Sequence, residues 1–192
     1  MRDTGAVGWR VAREGELAAT DHAALAALLR AAFPLYAHAY PGRRSWSGAR
    51  PEARAIGYDR AGPAAHAGIL RRFIQIGAGP QVEQLVGVVG MVAVRPDLHG
   101  TGLGRELGAR TAALLAELAV PYGLLGCAPG LVGYYLAIGW HQLPPVRSIY
   151  CPLDVDGPYE VVSEVEDTML LPVRGALGDW PAGDLHWNGA PV

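Results

Sequence analysis

The sequence predicts an α/β fold with a central mixed, mostly antiparallel sheet flanked by helices. Three observations carry the prediction. Apolar segments between residues 53 and 94 are punctuated by two turn signals, as in a three-stranded meander. A bare stretch, Gly100-Thr101-Gly102-Leu103-Gly104, follows the last of these strands and opens a helix with leucines at helical spacing. Short strand and helix patterns then alternate up to a tail rich in Trp, Gly and Pro.

Residues 7–14 alternate like a first strand. Residues 20–33 read as a helix: Thr20 or Asp21 can cap it, and Leu25, Leu28, Leu29 and Phe33 share one face. Residues 34–52 are broken by Pro and Gly and carry aromatics, His and Arg, a composition that suits a site-lining loop or short helix. Residues 53–60 and 64–76 form a hairpin turning on Ala61-Gly62-Pro63, and a second turn over 77–81 leads into 82–94. This third strand is apolar on both faces, which places it centrally. The helix over 105–119 buries Leu107, Leu114, Leu115 and Leu118. A short buried strand over 122–128 and a short helix over 131–140, ending at Gly139, come next. Strands near 146–153 and 164–173 precede the tail. With no repeat and no linker, residues 1–192 are expected to form a single domain.

Composition removes several function classes. The net charge of −2 implies no nucleic-acid partner. Every basic residue is Arg, so neither a Schiff-base nor a Walker lysine exists. Cys127 and Cys151 form no framework or metal spacing, and the histidines at 22, 38, 66, 99, 141 and 186 form no ligand spacing, so no metal site is expected. The polar N-terminus and the lack of a membrane-length apolar run predict a cytoplasmic protein with no membrane contact.

The glycine stretch then decides between phosphate-binding modes. A Walker loop would end in Gly-Lys-Ser/Thr, and a dinucleotide fingerprint needs Gly-x-Gly-x-x-Gly in a βαβ unit. Neither is present. A pyrophosphate on the N-terminus of the following helix fits better, because backbone N–H groups and the helix dipole favour an anion there. Gly100, Gly102 and Gly104 let phosphates approach the backbone, and Arg105 adds a charge. A tight turn without a ligand is the alternative.

Arg95-Pro96-x-x-His99-x-x-Gly102-x-Gly104 resembles the acyl-CoA motif of the GCN5-related N-acetyltransferase (GNAT) superfamily, with His99 where Arg or Gln is usual. The stretch 134–140, "YYLAIGW", is similar to the superfamily's Tyr-x-x-x-Gly-Trp/Phe helix. The resemblance implies the GNAT fold and acetyl-CoA as donor, with Met91, Val92, Ala93, Val94, His99, Gly100, Thr101, Gly102, Leu103, Gly104 and Arg105 holding it. Backbone N–H groups from Met91 to Val94 would polarise the thioester carbonyl.

Two narrower resemblances concern the acceptor. Residues 44–59, 64–74, 94–104, 118–123 and 179–189 are similar to the nodulation-factor N-acyltransferases (nodulation protein A). Those enzymes place a fatty acyl chain from a carrier protein on a chitooligosaccharide amine. Residues 65–73, 92–100, 135–140 and 179–187 are similar to the aminoglycoside 2'-N-acetyltransferases. Both imply transfer to a sugar amine. "YYLAIGW" and an acidic C-terminal quarter (Asp154, Asp156, Glu160, Glu164, Glu166, Asp167, Asp179 and Asp184) tilt the expectation to an aminoglycoside-type amino sugar, as in resistance or self-protection, with kasugamycin as a small example. The nodulation-type reaction and a catalytically silent acyl-CoA sensor are the alternatives.

The aminoglycoside resemblance makes Tyr135 the acid that protonates the leaving thiolate, with Tyr134 the natural control. An aromatic packing role is the alternative. No base follows from the central strand: Gly90 and Val88 stand where the two families carry acids, and Glu83 lies far upstream. His66 is either a proton relay or a satisfied strand histidine. For the acceptor, Asp184 matches a sugar-contacting aspartate of the aminoglycoside enzymes, and Asp179, Trp180, Trp187, Trp46 and Arg50 are further candidates. Pairing through C-terminal strands, frequent in such enzymes, would give a homodimer.

Overall fold

The structure is a computed structural model that describes residues 6–77, 81–151, 161–163, 167–190 and 192. The chain gathers into two compact units. One comprises Met1–Ile69, Gly90–Leu114 and Val192, the other Leu70–Val89 and Leu115–Pro191.

In the first unit, β1 (Gly8–Arg13) pairs antiparallel with β2 (Ala53–Asp59), from Gly8 opposite Tyr58 to Arg13 opposite Ala53. β2 pairs antiparallel with β3 (Gly62–Ile76), with an irregularity at Gly57/Tyr58. Helix α1 (Ala19–Ala32) lays Leu25 on Ala12 and Ile56, and Leu29 on Met91 and Ala93 at the end of β4 (Val82–Val94). Leu25, Leu28 and Leu29 are buried, worth roughly 2 kcal/mol each. The N-cap is Ala18. Asp21 lies inside the helix, and its carboxylate accepts the Ala18 N–H at 2.9 Å, so the Asp21 side chain satisfies the helix start from the third helical position.

In the second unit the strands run in the order β6 (His141–Gln142), β9 (Asp167–Pro172), β5 (Tyr122–Cys127), β4, β3, β10 (Leu185–His186), β7 (Ser148–Tyr150), β8 (Val161–Ser163). The β4–β5 pair is parallel, matching Val86–Val88 with Tyr122–Leu124, and so is β10–β7. The β5–β9, β6–β9, β10–β3 and β7–β8 pairs are antiparallel, so the sheet is mixed. Helix α3 (Val132–Ala137) is shorter than its apolar run and stops before Gly139, whose φ of 92° requires glycine. Trp140, just beyond, packs against bare Gly123.

Two further differences from the sequence expectation concern the glycine stretch and the tail. Helix α2 (Leu103–Glu117) begins inside the glycine stretch. The tail contributes a strand, β10, inserted between β3 and β7. Two residues carry no readable periodicity, and only their partners define them as a strand.

Candidate active site

The glycine stretch is braced by hydrogen bonds from the side chains around it. Arg95 leaves β4 with its N–H donated to Ala64 O at 2.8 Å. Its guanidinium clamps Asp59 of β2, with Nη1 donating to Oδ1 at 3.0 Å, and Asp97, with Nε donating to Oδ1 at 2.7 Å. Both carboxyls are held below the usual range by these bonds, and Arg95 is held firmly protonated. His99 donates Nε2–H to Val94 O at 3.0 Å, which ties the strand's last carbonyl to the loop. Thr101 donates its hydroxyl to Leu98 O at 2.7 Å. Gly100 and Gly102 sit at φ of 77° and 91°, and a Cβ built on either meets nothing within 4 Å. Arg105 is exposed, whereas Leu103 is buried as an anchor for α2. A bare, accessible backbone with a helix start behind it fits an anionic diphosphate.

Met91 precedes this segment with φ of 53°, left-handed and unusual for a residue with a side chain. Its carbonyl accepts the Nδ1–H of His66 at 2.9 Å. His66 is fully buried, and its Nε2 lies 3.1 Å from Arg54 Nη1. Arg54 is also fully buried. It donates Nη1–H to Ser45 O at 2.9 Å and Nε–H to Glu14 Oε2 at 2.8 Å. Burial, then the Arg54 charge, pushes the His66 imidazole down to about 3, so it is neutral. With Nδ1 donating and Nε2 accepting, both ring nitrogens are occupied.

Trp46 packs on the cluster of Leu29, Tyr40, Met91 and Ala93. The Arg50 guanidinium lies 3.9 Å over its ring and 3.1 Å from Glu14 Oε1. His22 meets Trp46 edge-on at 5.8 Å and hydrogen-bonds Ser45 at 2.8 Å. Glu14, His22, Ser45 and Arg54 thus join the expected Trp46, Arg50 and His66. Sequence reasoning missed these four. The signal was Arg54 within Ala53-Arg54-Ala55-Ile56, a charge on an apolar strand that has to find a partner.

Position 90 of β4 has no room for an acid: a Cβ on Gly90 would run into the backbone oxygen of Val192. Val88 is buried, and Glu83 is exposed at the start of the strand.

In the second unit, Tyr135 is 6% exposed, with ring centroids 5.0 Å from Tyr134 and 5.8 Å from Trp140. Burial, Tyr134 and Cys127 push its hydroxyl upward, so it stays protonated. The next residue, Leu136, turns outward to line a cavity of about 750 Å³. Leu143, Pro145, Val146, Leu177 and Trp180 make most of its wall apolar. Trp180 also packs edge-on against Tyr122 at 5.0 Å.

Asp184 lies at this cavity but is not an open anion. It accepts Arg147 Nε–H at 3.0 Å, and Arg147 holds its carboxyl below the usual range. Asp179 is exposed in a 3-10 turn. Trp187 is buried at 5%, leaving its ring no open face for stacking a sugar, so that expectation is corrected. Of the acidic rim, Asp154, Asp156, Glu160, Glu164 and Glu166 lie outside the described residues. No described helix is long and apolar enough to cross a membrane.

A nodulation protein A (NodA) family model matches residues 4–191. Nodulation protein A of Rhizobium tropici is 38% identical over 202 residues, covering 96% of this chain and 97% of that protein. Among solved structures, a GNAT family N-acetyltransferase from Escherichia coli in complex with CoA aligns with a TM-score of 0.62 at 16% identity, over 96% of this chain and 92% of that one. A GNAT family acetyltransferase from Brucella melitensis in complex with acetyl-CoA aligns with a TM-score of 0.58 at 18% identity, over 94% and 96%. The fold is therefore that of the GNAT acetyltransferases. By its near full-length match, the chain belongs to the nodulation protein A family of N-acyltransferases.

Proposed function

We propose that the protein transfers an acyl group longer than acetyl from a thioester to the amine of a chitooligosaccharide-type amino sugar, as one domain acting in the cytoplasm. The observation that carries this reading is the likeness to nodulation protein A along nearly the whole chain. The apolar cavity of about 750 Å³ supports it, since such a wall suits alkyl chain better than a polycationic antibiotic. The pairing of Asp184 with Arg147 also speaks for it, since the sugar-contacting role that the aminoglycoside resemblance gives Asp184 then has to compete with an ion pair.

In the proposed reaction, Gly100 to Arg105 hold the diphosphate of the CoA donor, and N–H groups between Met91 and Val94 hold the thioester carbonyl. The neutral amine forms the C–N bond, the C–S bond breaks, and the Tyr135 hydroxyl gives its proton to the leaving thiolate. The amine's own proton passes to water, because Gly90 and Val88 offer no carboxylate, and water returns a proton to the Tyr135 phenolate. Trp46 and Arg50 flank the acceptor. Acetylation of an aminoglycoside is the second reading, favoured by Tyr135 in Tyr-x-x-x-Gly-Trp.

Thiol release tests both. Acetyl-CoA, palmitoyl-CoA and a palmitoylated carrier protein are each offered to de-N-acetylated chitooligosaccharides, kasugamycin and several aminoglycosides. Saturable release with the long-chain donors and the oligosaccharide is expected. Release with acetyl-CoA and an aminoglycoside alone transfers the assignment to the second reading, and silence throughout overturns both.

A further inference from the structure

Met91 holds a left-handed backbone without being glycine, and such a conformation persists only where its surroundings over-determine it. Two features hold it. Its side chain reaches into space left by Gly68, where a Cβ would lie 3.0 Å from Met91 Cε. Its carbonyl takes the Nδ1–H of His66. The His66 tautomer is fixed in turn by Arg54, a permanent donor facing Nε2.

Arg54 is an expensive way to do this. It is wholly buried, its Nη2 has no hydrogen-bond partner, and its charge is balanced by Glu14. Apolar replacements of such buried pairs are often as stable or more so, so stability alone does not account for this one.

We propose that His66, oriented by Arg54 and Glu14, is the positioning residue that presets the Met91 bend and thereby the N–H groups of residues 92–94 that receive the donor carbonyl. The inference rests on the acyltransfer reading above. It assigns His66 no proton transfer: both ring nitrogens are already engaged, and the imidazole is neutral throughout the working range.

The test compares His66→Asn with His66→Gln. The Asn amide places a donor near the Nδ1 position, whereas the Gln amide places it near Nε2. Affinity for acetyl-CoA and for its thioether analogue, which lacks the carbonyl, is measured by calorimetry on the full chain. Wild type and His66→Asn are expected to favour the thioester. In His66→Gln that preference falls toward one while thioether binding holds. Turnover in His66→Gln drops about tenfold to a hundredfold, as for displaced reacting groups, and His66→Asn keeps the wild-type pH profile.

Equal damage in both variants, no preference in wild type, or loss of the acid limb in His66→Asn overturns the proposal. The affinity ratio needs no acceptor. A wild type that keeps the ratio but turns over no amino sugar therefore removes the acceptor reading and leaves this one standing.

Discussion

Gly90 and the backbone of Val192 occupy one another's van der Waals margin: the missing Cβ would lie 2.9 Å from the Val192 carbonyl carbon and closer still to its oxygen. The position at which related acetyltransferases are expected to carry a strand acid is thus filled by the chain itself. Gly90→Ala should cost about 1–3 kcal/mol, as overpacking does. Gly90→Glu should unfold more readily still and gain no turnover. Urea midpoints and thiol release check both.

Gly102 holds φ of 91°, where any side chain is strained, with open space in front of it. Gly102→Val should lower stability by roughly 1 kcal/mol and weaken CoA binding at least tenfold, on the order of one lost charge-assisted contact. Calorimetry with CoA separates the two effects.

The buried imidazole makes stability depend on pH. His66 stays neutral down to about 3 in the folded chain, while the unfolded chain takes up a proton near 6.5. The unfolded state therefore binds more protons between these values. The His66 contribution is complete above pH 6.5 and is lost as pH falls toward 3, with a slope of up to about 1.4 kcal/mol per unit. His22, also lowered chiefly by burial, adds in the same direction. Urea unfolding from pH 7.5 to 4 should show this slope, reduced in His66→Asn.

Asp59 and Asp97 act at lower pH. Their depressed values contribute stability that is complete above their ordinary range near 4 and lost as pH falls below it. Asp59→Asn should flatten the acid limb below pH 4, and its effect should vanish in an Arg95→Met background.

Tyr135→Phe should lower kcat by about 10²–10⁴-fold and leave CoA affinity unchanged, with Tyr134→Phe near wild type. Because burial raises the Tyr135 hydroxyl, the wild-type alkaline limb should lie above pH 10 for this group. Equal losses in both variants would return Tyr135 to a packing role.

The cavity predicts donor length. Leu136 is half exposed at its wall, so Leu136→Trp should fill part of the space and shift preference toward shorter acyl groups, by about tenfold in relative kcat/KM. A chain-length series read by thiol release decides it. An unchanged series would separate the cavity from the acyl group.

Strand and helix periodicity made β2, β3, β4, α2 and β5 legible within about two residues, because each has enough turns or alternations to show a buried face. The glycine stretch was legible for a related reason: its backbone is bare at Gly100 and Gly102, and local sequence decides where backbone is bare. The sequence by itself therefore determined the superfamily and narrowed the chain to two family likenesses, of which it favoured the aminoglycoside one; the match along nearly the whole chain gives the nodulation protein A family instead.

Tertiary structure decided what depends on partners far apart in the chain. Glu14, Ser45, Arg54 and His66 come from separate segments, and only their convergence turns a candidate relay into a neutral, fully engaged imidazole. In sequence, Asp184 and Trp187 are candidate acceptor ligands in a tail rich in Trp, Gly and Pro. Pairing with Arg147 neutralised the first, and burial removed the second. Charge and burial are sums over neighbours in space, and the order of residues in a chain does not contain those sums.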